Sequence, residues 1–214
     1  MDEAFSAVVR RSTEGRHREA ERAAFLGDLV RGRLPLAAYT AMVAQHLHIY
    51  AVLESAATVM RDDPVAAAFI HDELTRRPAL EADLHALLGD GWRDRTPPSP
   101  ATQRYTARLR EVCFDWPGGF VAHHYTRYLG DLSGGQYIAA AVRAGYDTTA
   151  TSFYAFDGLG HPAAFKTRYR EALDAAPWTA AERTRIVEEI HIAYELNIAV
   201  LVDLGREYAA DQAA

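Results

Sequence analysis

A glycine-rich stretch between Tyr128 and Gln136, YLGDLSGGQ, holds the residues whose types and spacing could do chemistry. A glycine costs about 1 kcal/mol relative to alanine inside a helix, so its three glycines indicate a bend or a surface that another group approaches closely. Gly130 and Gly134 are four residues apart and share one face, on which a flat group could lie. Asp131 and Arg127 flank that face as a plain helical ion pair or as a carboxylate placed to relay protons.

A second candidate for chemistry is His17, which has Glu21 one helical turn further along. A carboxylate at that spacing could accept a hydrogen bond from one ring nitrogen and leave the other nitrogen for a metal. The spacing alone favours the plainer alternative, a half-exposed helix histidine beside a salt-bridging glutamate. For His46, His48, His123 and His124 we expect surface or core-edge positions.

The bulk composition is that of an ordinary globular protein of 214 residues, with a net charge of −6 and one cysteine, Cys113. The negative charge argues against nucleic-acid binding driven by overall charge. One cysteine excludes an internal disulfide, which fits a reducing cytoplasm. The sequence has no signal-peptide pattern, no apolar run near the ~18 residues of a membrane span and no hydrophobic tail. We therefore expect a cytoplasmic protein without a membrane anchor.

Helical spacing of apolar residues continues along nearly the whole chain, with no alternating strand pattern. Since no linker is long enough to divide the chain, we expect one all-α domain over 1–214. Thr179 and Glu182 have the spacing of a capping box. The predicted helices are 3–31 with a bend near Gly15, 36–61, one opened by Asp62-Asp63-Pro64, 79–89, 101–115, a glycine-rich helix to about Arg143, 162–175 and 179–211.

Two short motifs suggest other chemistry and are both disfavoured. The string LSGGQ at 132–136 matches the signature loop of ABC-type ATPases, but Lys166 is the only lysine and Phe165 occupies the second glycine position that a phosphate loop would need. Two Glu-x-x-His pairs, at 14–17 and 188–191, resemble half of a di-iron four-helix site. These pairs fall on the first and last helices, which is the wrong order for that bundle.

The segment Val121–Gln136, VAHHYTRYLGDLSGGQ, closely resembles the signature of the heme oxygenases over about sixteen residues. The resemblance covers nearly the whole chain and is closest to the soluble bacterial members. It implies an all-α, single-domain, multi-helix fold with heme between the first helix and a glycine-kinked distal helix. The other segments that resemble the family, in the right order, are 13–21, 48–54, 165–170 and 196–197.

The resemblance also implies a role for each matching residue. His17 would be the proximal ligand of the heme iron, and Glu21 would be the hydrogen-bond partner of its ring. Gly130 and Gly134 would lie against the distal face of the heme, leaving space for oxygen and letting the helix open and close. Asp131 would hold a distal water molecule. The same distal network would include Tyr50, Thr126, Arg127 and Asn197.

The heme propionates would be held by a second group, Arg10, Tyr125, Lys166 and Arg170. Lys166 and Arg170 are four residues apart, so the spacing itself allows them either to clamp carboxylates or to form a solvated face. Arg10 stands where many relatives have lysine, which keeps the charge but changes the geometry. That substitution bears on how the heme is seated and on which meso carbon is attacked, the α position being the family default.

The implied reaction is the cleavage of heme to biliverdin, Fe²⁺ and CO with O₂, for iron acquisition or bilin formation. The electrons would come from an external donor, either a ferredoxin or a flavoprotein reductase. One alternative is a heme-binding or heme-transfer protein without turnover, which would not need Asp131 and its network. The other is a thiaminase-like helical enzyme, which would need a nucleophilic cysteine, whereas Cys113 lies in an ordinary helical segment.

Overall fold

The computed structural model describes residues 3–21 and 23–210, without the side chains at 21, 209 and 210. Over these ranges the chain forms helices and no β-strand. The short π-helix Tyr125–Leu129 joins two of the α-helices, and Ser152–Tyr154 forms a 3₁₀ turn. The α-helices are α1 Phe5–Glu21, α2 Ala24–Val30, α3 Leu36–Met60, α4 Arg77–Leu88, α5 Pro100–Val112, α6 Pro117–His124, α7 Gly130–Gly145, α8 Pro162–Ala175 and α9 Ala180–Ala210.

Helix α3 lies at the centre of the fold and is covered by α4, α5, α6 and α9. By length and composition it is also the one helix in the described residues that could cross a membrane. However, 72% of the most apolar 18-residue stretch of this helix is buried inside the protein. A helix that is apolar all round is either a membrane span or a core helix, and here the packing makes it a core helix.

Proline and capping residues fix several helix starts. Helices α4, α5, α6 and α8 all have proline in the first turn, where its missing N–H costs nothing. The capping box predicted at Thr179 is half formed, because its hydroxyl oxygen accepts a hydrogen bond from the Glu182 N–H at 3.1 Å. The Glu182 carboxylate accepts a hydrogen bond from the Trp116 indole instead, which ties the start of α9 to the start of α6.

Two predicted features of the helices are wrong. The predicted helix 3–31 is divided into α1 and α2, with the interruption between Glu21 and Ala24. The segment opened by Asp62-Asp63-Pro64 forms only short 3₁₀ turns, the first over Ala66–Phe69. Asp63 does cap that turn, since its carboxylate accepts hydrogen bonds from the N–H groups of Val65 at 2.9 Å and Ala66 at 2.8 Å. Its capping signal was therefore real, but no amphipathic stretch followed it to extend the helix.

The packing of several helices creates a cleft. Helix α1 packs on α8 and α9, while α7 packs on α2 and on the Ser152–Tyr154 turn. The π-helix before α7 also contacts α9. Residues of α1 and of α7 line the cleft from different helices, and residues of α9 line it as well.

Candidate active site

One wall of the cleft is the junction between α6 and α7. Its π-helix, Tyr125–Leu129, has five residues and leads directly into Gly130. Such single-turn π segments occur mostly inside α-helices and often at functional sites. Here the segment buries Arg127 while α7 begins beside the cleft. A π-helix therefore accompanies the glycine-rich distal helix that the sequence predicts.

The three glycines of α7 have two different environments. A Cβ atom added to Gly130 or Gly134 would meet no atom within 4 Å, so both face open space. A Cβ atom on Gly135 would lie 2.5 Å from a ring carbon of Tyr154, so this glycine permits close packing instead. Gly130 and Gly134 thus provide the free face that their spacing predicts, and the third glycine is needed for the core.

An outer cavity of about 200 Å³ lies at the mouth of the cleft. It is bounded by His17 on α1 and by Gly130 on α7. Lys166 donates a hydrogen bond to the Ser133 hydroxyl at 3.2 Å and so connects α8 with α7 across the rim. All four residues predicted to hold the propionates line this cavity: Arg10, Tyr125, Lys166 and Arg170. The structure therefore gathers three cationic side chains at the opening.

An inner cavity of about 140 Å³ continues behind the outer one and shares His17, Gly130 and Tyr194 with it. Four of the five residues predicted for the distal network line this cavity. The fifth, Tyr50, donates a hydrogen bond to Asp131, which is one of the four. Thr126 lines the cavity with its hydroxyl donated to the Ala122 carbonyl at 2.9 Å. The other lining residues from the sequence prediction are Arg127, Asp131, Gly134 and Asn197.

A hydrogen-bonded network fixes the carboxylate of Asp131. The buried Tyr50 hydroxyl donates to its Oδ2, and the Nη2 of Arg127 lies 3.8 Å from the same oxygen. Arg127 also donates from Nη1 to Asn197 Oδ1 at 2.5 Å and places its guanidinium 5.1 Å from the Tyr50 ring centre. Four side chains from α3, the π-helix, α7 and α9 thus meet at one point.

Burial and neighbouring charges have opposite effects on the pKa values of Asp131 and Arg127. Burial raises the pKa of Asp131, while Arg127 and the Tyr50 hydrogen bond favour its charged form. Burial alone would lower the pKa of Arg127, but Asp131 and Tyr50 outweigh it and keep the guanidinium charged. The Asp131 side chain is 14% exposed, toward the cavity. A carboxylate with a raised pKa beside a cavity is suited to proton transfer.

The inner cavity has features that suit both a polar ligand and a planar one. The Nε and Nη2 atoms of Arg127 are buried without a hydrogen-bond partner among the described residues. Buried N–H groups are nearly always bonded, so these atoms require water or a ligand. Together with the open face at Gly130 and Gly134, they fit a planar group that carries small polar molecules on one side.

The opposite wall contributes His17, which is half-buried and lines both cavities. Its ring meets the Tyr194 ring edge-on, with the ring centres 6.3 Å apart. The side chain of Glu21 lies outside the described residues, so its hydrogen bond to His17 stays a prediction. Among the described residues no group of three or more His, Cys, Asp or Glu side chains is placed to hold a metal ion, which leaves the di-iron motif without support.

Several residues at the site or in the core were missed by the sequence reasoning. His46, expected at the surface or core edge, is 7% exposed and lines the inner cavity, as does Tyr154. A signal was available, because His46 precedes Tyr50 by four residues and so shares its helix face. His123 and His124 are also buried, with the His123 ring 3.0 Å from a Glu189 oxygen.

The cysteine required by a thiaminase-like alternative is unsuited to that role. Cys113 is buried, and its Sγ lies 3.8 Å from the Gly119 carbonyl. Burial raises the pKa of the thiol, which keeps it protonated and poorly nucleophilic.

The fold and the cleft define a class of protein: an all-α domain with a histidine on one wall and a networked carboxylate on a glycine-faced wall. The family model for heme oxygenase matches residues 3–203. Human heme oxygenase 1 is 34% identical over 209 residues, which cover 95% of this chain and 73% of that protein. The chain belongs to the heme oxygenase family.

Solved structures agree with this assignment. Heme oxygenase-1 from the cyanobacterium Synechocystis sp. PCC6803, in complex with heme, superposes with a TM-score of 0.91 at 30% identity, covering 99% of this chain and 96% of that one. Heme oxygenase-2 from Synechocystis sp. PCC 6803, in complex with heme and NO, gives 0.91 at 32% identity, covering 98% and 88%. The predicted all-α single-domain fold and the predicted class of enzyme are confirmed.

Proposed function

We propose that the two cavities form one heme site and that the protein cleaves the bound heme to biliverdin, Fe²⁺ and CO. The observation that carries this proposal is the placement of His17 opposite the network of Asp131 and Arg127, across a space kept open by Gly130 and Gly134. A carrier would need the histidine and the basic rim only. The buried network has no purpose in a carrier, and so it favours turnover.

Heme, as the substrate, supplies the iron at which O₂ is activated. His17 would bind that iron on the proximal side, and a neutral imidazole leaves the iron reducible. Glu21 would fix the tautomer of that ring. At the mouth of the cleft, Arg10, Lys166 and Arg170 would pair with the propionates, and the Tyr125 hydroxyl would donate a hydrogen bond.

The distal residues would control where protons go. Asp131 would hold a water molecule beside the open face of α7 and pass a proton through it, which avoids placing a strong acid at the iron. Tyr50 and Arg127 would keep the carboxylate in one position and favour its charged form against the effect of burial. Asn197 would hold the Arg127 side chain, and Thr126 would shape the wall between them.

The reaction also consumes electrons that neither heme nor O₂ supplies. We propose a separate donor, a ferredoxin or a flavoprotein reductase, which would approach the heme edge at the basic rim. We further propose that residues 1–214 act as one domain in the cytoplasm. A buried single cysteine and a long apolar helix that is packed into the core support that setting.

The test is a spectroscopic experiment with hemin. Added hemin should give a Soret band of a histidine-ligated complex, and reductant with O₂ should then replace that band with biliverdin absorbance. A Soret band that persists under reductant and O₂ would indicate a carrier, and no Soret band would remove the heme site altogether.

A further inference from the structure

Two polar side chains that line the inner cavity, His46 and Tyr154, have no role in the proposed reaction. His46 is 7% exposed and Tyr154 is 2% exposed, and both line the inner cavity. The Nδ1 atom of His46 and the hydroxyl of Tyr154 have no hydrogen-bond partner among the described residues. With the Nε and Nη2 atoms of Arg127, four buried polar atoms without a hydrogen-bond partner among the described residues belong to residues around one small cavity.

Both side chains are held firmly in place. The His46 ring packs against Phe153, with ring centres 5.3 Å apart. The Tyr154 ring packs so closely on α7 that only glycine fits at Gly135, and the Gln136 amide donates to the Tyr154 carbonyl at 2.6 Å. Their polar atoms therefore have little freedom to find partners elsewhere in the protein.

The protonation of these groups suits hydrogen bonding to water. Burial, and then the charge of Arg127, lowers the pKa of His46, so its ring is neutral near pH 7. A neutral ring has one donor and one acceptor nitrogen. Burial raises the pKa of Tyr154, so its hydroxyl stays protonated. Apolar side chains such as Met42 and Ile138 make up much of the cavity wall, so these few polar atoms are where ordered water would find hydrogen-bond partners.

We propose that His46 and Tyr154, with Arg127, hold ordered water in the inner cavity and so form a second hydrogen-bonding subsite in addition to Asp131. This subsite stabilises small polar ligands at the distal side of heme. His46 and Tyr154 are positioning residues in this scheme, because they act through water and not on heme itself. The inference rests on the proposed heme site.

The first experiment needs no heme. Tyr154→Phe removes only the hydroxyl, so it separates a hydroxyl bonded to water from one left unpaired. A water-bonded hydroxyl predicts a Tm lower by a few degrees, whereas an unpaired one predicts a higher Tm because its desolvation penalty is removed. Tyr39→Phe calibrates the scale, since the buried Tyr39 hydroxyl donates to the Ala150 carbonyl at 2.7 Å. A higher Tm for Tyr154→Phe would overturn the proposal.

The second experiment measures fluoride binding to the ferric heme complex, because fluoride is a small anion that accepts hydrogen bonds. His46→Leu and Tyr154→Phe should each weaken fluoride binding, by about tenfold for His46→Leu. Two controls should leave it unchanged. Tyr39→Phe and His48→Gln serve for this, because neither Tyr39 nor His48 lines the inner cavity. His48 lies on α3, as His46 does, and its ring is 2.7 Å from the Thr96 carbonyl oxygen.

The outcomes separate the two proposals. If the parent protein gives no Soret band with hemin, the proposed function fails, while the Tm comparison still decides whether water is held. If the parent binds hemin and fluoride but both cavity variants bind fluoride as the parent does, only the subsite is wrong. A low-spin spectrum of two histidine ligands that His46→Leu abolishes would also contradict it, because His46 would then bind iron directly.

Discussion

The two walls of the cleft are built in different ways. On α1 the candidate ligand His17 is half-buried, and its neighbours form exposed ion pairs such as Arg18 with Glu14 at 3.0 Å. Such pairs are worth at most about 1 kcal/mol. On the facing wall, Asp131 belongs to a buried network with Tyr50 and Arg127. One wall thus depends on a single residue, and the other depends on several that support each other.

This difference predicts different responses to mutation. A single substitution on α1 should abolish one property completely. Substitutions in the distal network should give graded losses, because the remaining members still hold part of the arrangement.

The largest effect is expected for His17→Ala, which removes the only side chain on α1 that we assign to the iron. The Soret spectrum of a histidine-ligated heme should be lost, and added imidazole should restore it. His191→Ala is the matched control, because this half-exposed histidine on α9 lines neither cavity. A spectrum that is the same in His17→Ala and in the parent would remove His17 as the ligand.

Alanine at Gly134 and at Gly135 should separate the functional glycine from the structural one. Gly134→Ala should stabilise the heme-free protein by about 1 kcal/mol, since the new Cβ meets no atom within 4 Å, yet it should weaken heme binding. Gly135→Ala should destabilise the protein by about 1–3 kcal/mol, because the new Cβ would lie 2.5 Å from the Tyr154 ring.

Thermal unfolding and hemin titration of both variants provide the measurements. Equal heme affinity in Gly134→Ala and the parent would mean that the open face of α7 does not contact heme.

A smaller effect is expected for Tyr50→Phe, which removes the hydrogen bond to Asp131 Oδ2. That bond lowers the pKa of Asp131, so its loss should raise this pKa. If the charged carboxylate is the active form, activity is present above this pKa and lost below it. The acid limb of the pH–rate profile for biliverdin formation should therefore move to higher pH, and a shift to lower pH would contradict the assignment.

The smallest effect is expected at the rim. Lys166→Ala should weaken heme binding by roughly tenfold or less, since solvent and salt screen ion pairs at the mouth of a cleft. The loss should shrink further as ionic strength rises, which hemin titrations at low and high salt would measure. A loss that does not depend on salt would indicate that Lys166 acts through its bond to Ser133 rather than through charge.

Most of the site residues on α1 and α7 could be predicted from the sequence, but His46 and Tyr154 in the inner cavity could not. Helical spacing alone placed Gly130 and Gly134 on one face, and residue types then suggested the role of Asp131. The contact of Gly135 with Tyr154 joins two residues that are 19 apart in the sequence, and no local pattern predicts such a contact. The position of His46 at the cavity was not predicted, because this residue lies on a helix that is apolar all round. On such a helix periodicity does not distinguish a cavity-lining residue from a core residue.

The most direct test of the account is Asp131→Asn, which keeps the shape of the side chain but removes its charge. Heme affinity and the histidine-ligated Soret spectrum should match those of the parent, while biliverdin formation with reductant and O₂ should fall by about 10²–10⁴-fold and give way to peroxidase-like oxidation. Biliverdin production at the parent rate would contradict the account, because the distal network would then have no part in directing the reaction.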